Sequence, residues 1–390
     1  MKELNVPTLY LPQMTAKKPK GPSVPIFVTR QDILKAKKSI IVIINERMQD
    51  LGVWAWRSVC TDGFDIGSSV GTVKNVKLRY HGSEVEPGVV VLNPGQYFYS
   101  YTKKQAMSHE SWEALPRKSL FHPTIRADEG NLVTGSRTPE EHIATVFDKV
   151  VVNTEYVDEN ADLYVIAVGS MGNTFLKYMD KNLAKLGSRI KAAVFTQPHL
   201  EAARMSSELI RFVETRGRAW ILSSAPLGTC IGMPNLGSKP APREPDAPTE
   251  WQEPEQARWE EDTLCPTFSG EEEEYTECIL PKVQKAMIDF FQEVRRGGKE
   301  YANPTFEVVM PEIVYEEEEQ AGHGAIEGDA DAGTVLKVKD VNKQGDVLPP
   351  STASVEKVTD QVKKVQLADD EVEVAGIPIA KDLLAKAGLD

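Results

Sequence analysis

The sequence has no long run of apolar residues. Its longest aliphatic runs, Ile40 to Ile44 and Val89 to Leu92, have five and four residues, whereas a helix that crosses a bilayer needs about 20. The first residues contain prolines and lysines and no apolar stretch of the roughly 7 to 15 residues found in secretory signals. We therefore expect neither a transmembrane helix nor a signal peptide, and no membrane partner.

Cysteine is scarce as well. The four cysteines of the 390-residue chain show no Cys-x-x-Cys spacing and are too few for a disulfide framework. Zinc-ligand spacing, an arginine-rich stripe and an aromatic RNA-binding signature are also missing from the sequence. Since free thiols suit a reducing compartment, we expect location in the nucleus, the cytoplasm or both. We expect no metal site, no cofactor and no direct nucleic-acid binding.

Charge is unevenly distributed along the chain. The net charge is −13, of which residues 316–390 contribute −9 and residues 237–278 contribute −10. The remainder is mildly basic, at +6. The sequence therefore predicts a basic body with two acidic appendages.

Four segments have compositions that differ from a folded core. Residues 1–25 contain five prolines and predict an extended arm. Residues 237–262 are rich in Pro and Glu and predict an exposed insertion, and residues 299–315 predict a linker. Residues 316–390 have no Phe, Trp, Tyr or Arg, which predicts a disordered acidic tail. Within it, residues 377–388 have the spacing of a short binding helix, although such helices are marginal in water.

Residues 26–298 have the pattern of an α/β domain. Ser39–Asn45 and Gly88–Asn93 are short β-branched runs typical of strands buried on both faces. From residue 163 onwards, strands and helices alternate, which predicts a mostly parallel sheet with helices on both faces. A helix over 138–152 places His142 at the edge of its apolar stripe, and a helix over 277–296 closes the domain.

A strand over Leu163–Val168 runs directly into Gly169-Ser170-Met171-Gly172 and then a helix. This is the context of a nucleophile elbow, in which the serine occupies a strained turn and the next N–H helps to bind an oxyanion. Met171 is then one oxyanion donor, and Gly95, after the strand Gly88–Asn93, is the second. The first glycine of the usual pattern is replaced by Val168, so the elbow is incomplete.

A catalytic serine also needs a base and an acid. Only His199 and His323 follow Ser170, and no carboxylate stands at the turn after the strand predicted over residues 219–223. Two hypotheses remain open. Ser170 and His199 form a working dyad, or the domain keeps the fold of a hydrolase without its chemistry.

The stretch that follows the strand at Gly88 is rich in polar and aromatic residues. Asn93, Gln96, Tyr97 and Tyr99 are candidates for a pocket or for the edge of an interface. The alternative is that the tyrosines belong to the core.

Several stretches resemble the Argonaute-binding-protein (Arb2) domain family, an α/β-hydrolase-like module found in fungi alone or fused to class II histone deacetylases. The elbow, the helix from Glu277 and six other stretches carry the resemblance, and the chain order is the same. The six stretches are Ile41 to Arg57, Gly88 to Ser100, Ser111 to Pro123, Arg137 to Val152, Phe195 to His199 and Ala225 to Thr229.

The resemblance implies an α/β-hydrolase-like fold and a role in RNA-silencing complexes that hold Argonaute, or in heterochromatic deacetylase assemblies. Many members of the family carry a histidine after the last strand, where this chain has Ser269 to Glu274. The interpretation that follows is a non-catalytic scaffold, a pseudoenzyme that binds protein partners. A serine hydrolase of esterase type that uses Ser170 is the alternative.

Overall fold

The computed structural model describes residues 1–81, 85–116, 127–234 and 263–309, and the backbone of residues 371–374 and 377–380. The predicted insertion at 237–262 and most of the predicted acidic tail lie outside the described residues. The chain divides into two compact units, Met1–Val314 and Tyr315–Asp390. Within the described part, no helix has the length and apolar content needed to cross a membrane.

The first unit is built on a nine-stranded sheet. The strands of the described residues are β1 (Thr8–Leu11), β2 (Val24–Val28), β3 (Ser39–Ile44), β4 (Gly88–Leu92), β5 (Phe98–Ser100), β6 (Gln105–Met107), β7 (Asp162–Val168), β8 (Ile190–Thr196), β9 (Gly217–Ile221), β10 (Cys230–Gly232), β11 (Thr267–Ser269), β12 (Glu371–Val374) and β13 (Ile377–Ala380). The order in the nine-stranded sheet is β1-β2-β4-β3-β7-β8-β9-β11-β10, and the strands from β4 to β11 in this order are parallel to one another. Antiparallel strands complete both edges.

Helices cover both faces of the sheet. The α-helices are α1 (Gln31–Lys35), α2 (Trp56–Thr61), α3 (Ser69–Arg79), α4 (His109–Glu113), α5 (Pro139–Val146), α6 (Met171–Lys181), α7 (Leu183–Leu186), α8 (Ser207–Arg216) and α9 (Ile279–Gly297). A π-helical turn, Phe147–Val151, follows α5. Short 3₁₀ helices are Lys2–Leu4, Glu129–Asn131, Ala202–Arg204, Thr276–Cys278 and Gly298–Glu300.

Alternate residues of the central strands point into two separate cores. Ile40, Val42 and Ile44 of β3 pack with α5, α6 and α8, whereas Ile41 and Ile43 pack with α3 and α9. Every residue of β3 is buried, as expected for a parallel strand with a helix layer on each side. The strand order and the elbow after β7 give an α/β-hydrolase-like fold, so the predicted fold class is confirmed.

The N-terminal residues belong to the sheet, and the extended arm expected over residues 1–25 is not what the structure has. β1 and β2 pair antiparallel, and β2 joins β4. Alternate side chains point into the core, including Leu9, Leu11, Ile26 and Val28. The prolines are tolerated because an edge hairpin needs fewer backbone N–H donors than a central strand.

Residues 299–309, expected to be part of a linker, pack on the domain. The guanidinium of Arg218 lies 4.2 Å from the ring centre of Phe290 and donates to Glu293 and to the hydroxyl of Tyr301. Asn303 donates its side-chain amide to the carbonyl oxygens of Glu214 and Gly217. A buried arginine needs partners for its donors, and this C-terminal segment supplies some of them. Residues 310–315 lie outside the described part of the chain.

The second unit contains a β-hairpin. β12 pairs antiparallel with β13, with Val372 opposite Ile379. A helix was expected over 377–388, and residues 377–380 form a strand instead. Ile377-Pro378-Ile379 suits a strand because β-branched residues favour it and proline is poor inside a helix. Residues 381–388 lie outside the described part.

His142 attaches α5 to the sheet. The sequence places it at the edge of the helix stripe, yet it is fully buried. Its Nε2 accepts the backbone N–H of Asn93 at 2.9 Å, and its Nδ1 lies 2.8 Å from Ser136 Oγ. Because Nε2 accepts, a neutral ring carries its proton on Nδ1 and donates to the serine. Burial lowers the pKa of His142 to about 3, so the ring stays neutral.

This buried histidine predicts a pH dependence of stability. The ordinary pKa of 6.5 applies to the unfolded chain, so the unfolded state takes up a proton that the folded state refuses as pH falls from about 6.5 towards about 3. The free energy of unfolding should therefore fall over this window, by at most about 1.4 kcal/mol per pH unit from this group. Urea unfolding of the wild type and of His142→Gln at several pH values measures this fall in the free energy of unfolding.

The variant keeps all the carboxylates and lacks only the histidine. The difference in the free energy of unfolding between the wild type and His142→Gln should therefore become smaller as pH falls. His81 is exposed, and His81→Gln is the matched control, which should keep the wild-type slope. Parallel curves for the wild type and His142→Gln would contradict the account.

Candidate functional site

The elbow follows β7, a central strand of the sheet, and lies at the carboxyl ends of the parallel strands. Because β7 lies between β3 and β8, the loops after these three strands meet at the carboxyl edge, where α/β proteins bind ligands. The N–H of Gly169 donates to the carbonyl oxygen of Thr196 at 2.8 Å, which joins the elbow to the end of β8. Ser170 therefore lies between the loop that carries Glu46 and the loop that carries His199.

The backbone conformation separates this elbow from that of a hydrolase. In a hydrolase the nucleophile itself occupies the strained turn. Here the left-handed φ of +56° belongs to Gly169, a conformation that glycine adopts without a steric penalty. Ser170 has φ −61° and ψ −19°, an ordinary helical conformation. The position that would project a nucleophile thus has no side chain, and Ser170 is the N-cap residue of α6.

The carboxylate of Glu46 covers the elbow. Its Oε2 accepts the N–H of Ser170 at 2.9 Å, and its Oε1 accepts the Ser170 hydroxyl at 2.9 Å and the N–H of Arg47 at 2.8 Å. A Cβ atom added to Gly169 would overlap Glu46 Oε2. The carboxylate therefore occupies the space that a nucleophilic side chain at this position would need. Its negative charge lies at the N-terminus of α6, where the helix dipole favours it.

The two residues proposed as oxyanion donors occupy different places. Met171 is the first residue of α6, and its side chain is buried in the core. Gly95 follows β4, which β3 separates from β7. A Cβ on Gly95 would lie 2.5 Å from the carbonyl oxygen of Arg47, so Gly95 lets the two loops approach closely. The hydrolase loop that supplies the second donor follows the third strand of the sheet. Here that loop carries Glu46, and its Arg47 N–H is already bonded.

In a hydrolase the acid and then the histidine follow the nucleophile in chain order, which corresponds here to the ends of β9 and β11, and these two ends contact each other. Ser269 Oγ donates to the carbonyl oxygen of Ala225 at 2.6 Å, and Ser223 N–H donates to the carbonyl oxygen of Glu272 at 2.7 Å. Neither an aspartate nor a histidine takes part in these contacts.

His199 is exposed and lines a cavity of about 530 Å³ with Gln197 and Cys265. Ser170 is not among the residues that line this cavity. The Ser170 hydroxyl donates to Glu46, and no hydrogen bond joins it to His199 in the part of the chain that the structure describes. The arrangement therefore lacks the serine–imidazole contact on which nucleophilic activation depends.

The other candidate residues hold the neighbouring loop in place. The Nδ2 of Asn93 donates to the carbonyl oxygen of Pro25 and to Gln96 Oε1, and Gln96 Nε2 donates to Asp50 at 2.6 Å. Asn45 in turn donates to the carbonyl oxygen of Asp50 at 3.0 Å. Asn93 is buried, so its amide positions the loops and has little surface for a ligand.

The two tyrosines differ in exposure. Tyr99 is buried in a small cluster with Val24, Ala106 and Val133, so its side chain packs in the interior and is too buried to line a pocket. Tyr97 is half-buried, and burial raises the pKa of its hydroxyl. Tyr97 is thus the one of the two that a ligand at this edge could reach. The described residues contain no group of three or more His, Cys, Asp or Glu side chains that could hold a metal ion.

Sequence reasoning missed Glu46. The available signal was its position, because Asn45-Glu46-Arg47 follows directly after the most apolar strand of the chain. A carboxylate that ends a central strand reaches the same edge as the elbow. The β3–β7 pairing that brings the two together cannot be read from one strand alone.

The chain matches the model of the Arb2 domain over residues 1–227. A human protein described as putative protein ARB2BP is 20% identical over 52% of this chain and 56% of its own length. Cotranscriptional regulator ARB2A of mouse and its homologue in chicken are each 23% identical over 53% of this chain and 53% of their own length. The chain thus spans about half the length of these relatives.

One solved structure, from a study of two fungal esterases of Rhizomucor miehei, aligns with a TM-score of 0.33 at 10% identity, over 75% of this chain and 83% of the other. So low a score carries no argument. The family match covers more than half of the chain, in line with the stretches noted in the sequence. The protein belongs to the Arb2 domain family.

Proposed function

We propose that this protein is a non-catalytic interaction protein that works in the control of gene expression. The observation that carries the proposal is the Glu46 carboxylate, which fills the nucleophile position above Gly169. A rigid body whose catalytic edge is closed by its own side chain retains surfaces for binding and loses the geometry for acyl transfer.

The relatives support the regulatory part of the proposal. Two of them are named cotranscriptional regulators, which supports a nuclear location for this protein. The resemblance to Argonaute-binding-protein domains gives a finer version, in which the partner belongs to an RNA-silencing complex with Argonaute or to a heterochromatic histone deacetylase complex. The mildly basic body and acidic appendages suit association with other proteins.

A serine hydrolase is the second candidate. Ser170 is exposed, and its hydroxyl lies 2.9 Å from a carboxylate oxygen of Glu46 that could accept its proton. Against this, the serine hydroxyl lies at the start of a helix in an unstrained conformation, and no imidazole contacts it in the described residues. A fluorophosphonate probe distinguishes the two functions because it reacts only with an activated serine.

We expect no labelling of the full-length wild type by a fluorophosphonate, measured by intact-protein mass spectrometry. Ser170→Ala should give the same result, as should the matched surface control Ser207→Ala. Labelling of the wild type that Ser170→Ala abolishes and Ser207→Ala retains would establish the hydrolase and overturn the proposal.

Removing the carboxylate from the elbow should lower stability without creating an enzyme. Glu46→Ala leaves the N–H groups of Ser170 and Arg47 without their acceptor, an effect of about 1 kcal/mol for a lost helix cap. Glu46→Gln keeps one acceptor oxygen and should lose less stability than Glu46→Ala. Urea unfolding measures both variants, and Glu300→Ala, at an exposed site with no ion pair in the described part of the chain, is the control. A Glu46→Ala variant as stable as Glu300→Ala would show that the carboxylate does not hold the elbow.

Affinity purification of the tagged chain from its own cells, followed by mass spectrometry, tests the finer version. We expect an Argonaute or a histone deacetylase among the specific partners, and the same partners with Ser170→Ala because catalysis is not required. Recovery of neither class would contradict the silencing and heterochromatin version. Loss of the partners with Ser170→Ala would contradict the non-catalytic role.

A further inference from the structure

The segment between Val53 and Ser68 exposes three large apolar side chains. Trp56 is 52% exposed, Phe64 56% and Ile66 44%. The three side chains belong to one short segment of the chain. Exposed apolar side chains that gather in one region are candidates for protein contact, and Trp is a side chain from which interfaces commonly gain their affinity. We call these three residues the Trp56 surface.

The segment is held firmly. Val53 and Ser68 form an antiparallel bridge, and the N–H of Trp54 donates to the carbonyl oxygen of Gly67 at 2.8 Å. Trp54 itself is buried, and its Nε1 donates to Thr72 Oγ1 at 2.9 Å. The buried Trp54 anchors the segment, so the exposure of Trp56 belongs to a fixed structure. A preformed surface loses less conformational entropy when it binds.

An acidic loop contacts α2, the helix that begins with Trp56. The guanidinium of Arg57 lies 3.6 Å from the ring centre of Tyr275, and Ser58 Oγ lies 3.6 Å from Cys278 Sγ, so α2 rests on the loop after β11. Three exposed glutamates of that loop form no ion pair within the described residues: Glu271, Glu273 and Glu274.

The local cations do not neutralise this loop. Arg57 stacks on Tyr275, and Lys282 pairs with Glu272 at 2.8 Å. The other three carboxylates therefore leave a negative potential beside an apolar surface. A partner that covers both gains affinity from apolar burial and a faster encounter from opposite charge.

We infer that the Trp56 surface and its acidic border bind a peptide segment of a partner protein in which large apolar side chains are flanked by lysine or arginine. The inference rests on the proposed function and names the chemistry of the partner. A second copy of this chain fits less well, because a stable dimer buries about 800 Å² on each side and would bring two acidic borders together. A surface of three side chains fits a short peptide segment better than it fits a second copy of this chain.

Peptide display on the full-length chain tests the inference. Random peptides of about 12 residues, long enough for one helical or extended recognition segment, are selected on the wild type and counter-selected on Trp56→Glu. We expect enrichment of sequences that combine aromatic or aliphatic residues with Lys or Arg. The best peptide should bind Trp56→Glu at least about tenfold more weakly in calorimetry.

Charge-reversal variants examine the acidic border. Glu273→Lys with Glu274→Lys should weaken the same peptide several-fold and flatten the dependence of its affinity on salt. Leu78→Glu, at an exposed apolar position on α3, is the matched control and should bind as the wild type does. Circular dichroism confirms that each variant is folded.

Three results would overturn the inference: enriched peptides without basic residues, equal binding by wild type and Trp56→Glu, or sedimentation showing a dimer that Trp56→Glu dissociates. These results leave the non-catalytic function intact. Conversely, Ser170-dependent labelling would remove that function without affecting peptide binding, so the two failures can be told apart.

Discussion

The carboxylate of Glu46 determines what the elbow of this domain can do. It accepts both donors of Ser170 and the next N–H of its own loop. In a hydrolase, such donors are free to bind the oxyanion of a reacting substrate. Here a side chain of the protein takes a large share of that hydrogen-bonding capacity. The chemistry of the site follows from this single interaction.

The surrounding structure is arranged to keep the carboxylate in place. The β3–β7 pairing brings the end of β3 beside the elbow, and Gly95 allows the loop after β4 to press against Arg47. Behind that loop, neutral His142 holds the backbone of Asn93. Buried polar contacts of this kind stabilise the fold more when every donor and acceptor has a partner. The same α/β-hydrolase-like framework therefore supports a closed edge as well as it supports a catalytic one.

The sequence predicts the fold well because the parallel strands are continuous β-branched runs and the elbow follows one of them. It predicts the termini poorly, since prolines suggest an arm at residues 1–25 and the edge hairpin there shows its apolar alternation over only a few residues. The segment after α9 reads as a linker because its partners, above all Arg218, are distant in the chain.

For the site, the sequence identifies Ser170 and the scarcity of catalytic partners. It cannot place Glu46, whose role depends on which strands are neighbours. Gly169 carries the decisive conformation, but a glycine before a serine also occurs in active hydrolases. Only the backbone angles distinguish the residue that occupies the strained turn.

A crystal structure of residues 1–309 at high resolution would test the central claim most directly. The account predicts Gly169 at positive φ, Ser170 in a helical conformation, and the Glu46 carboxylate within hydrogen-bond distance of the Ser170 N–H. A structure in which Ser170 occupies the strained turn and its hydroxyl contacts His199, with Glu46 turned to solvent, would contradict it.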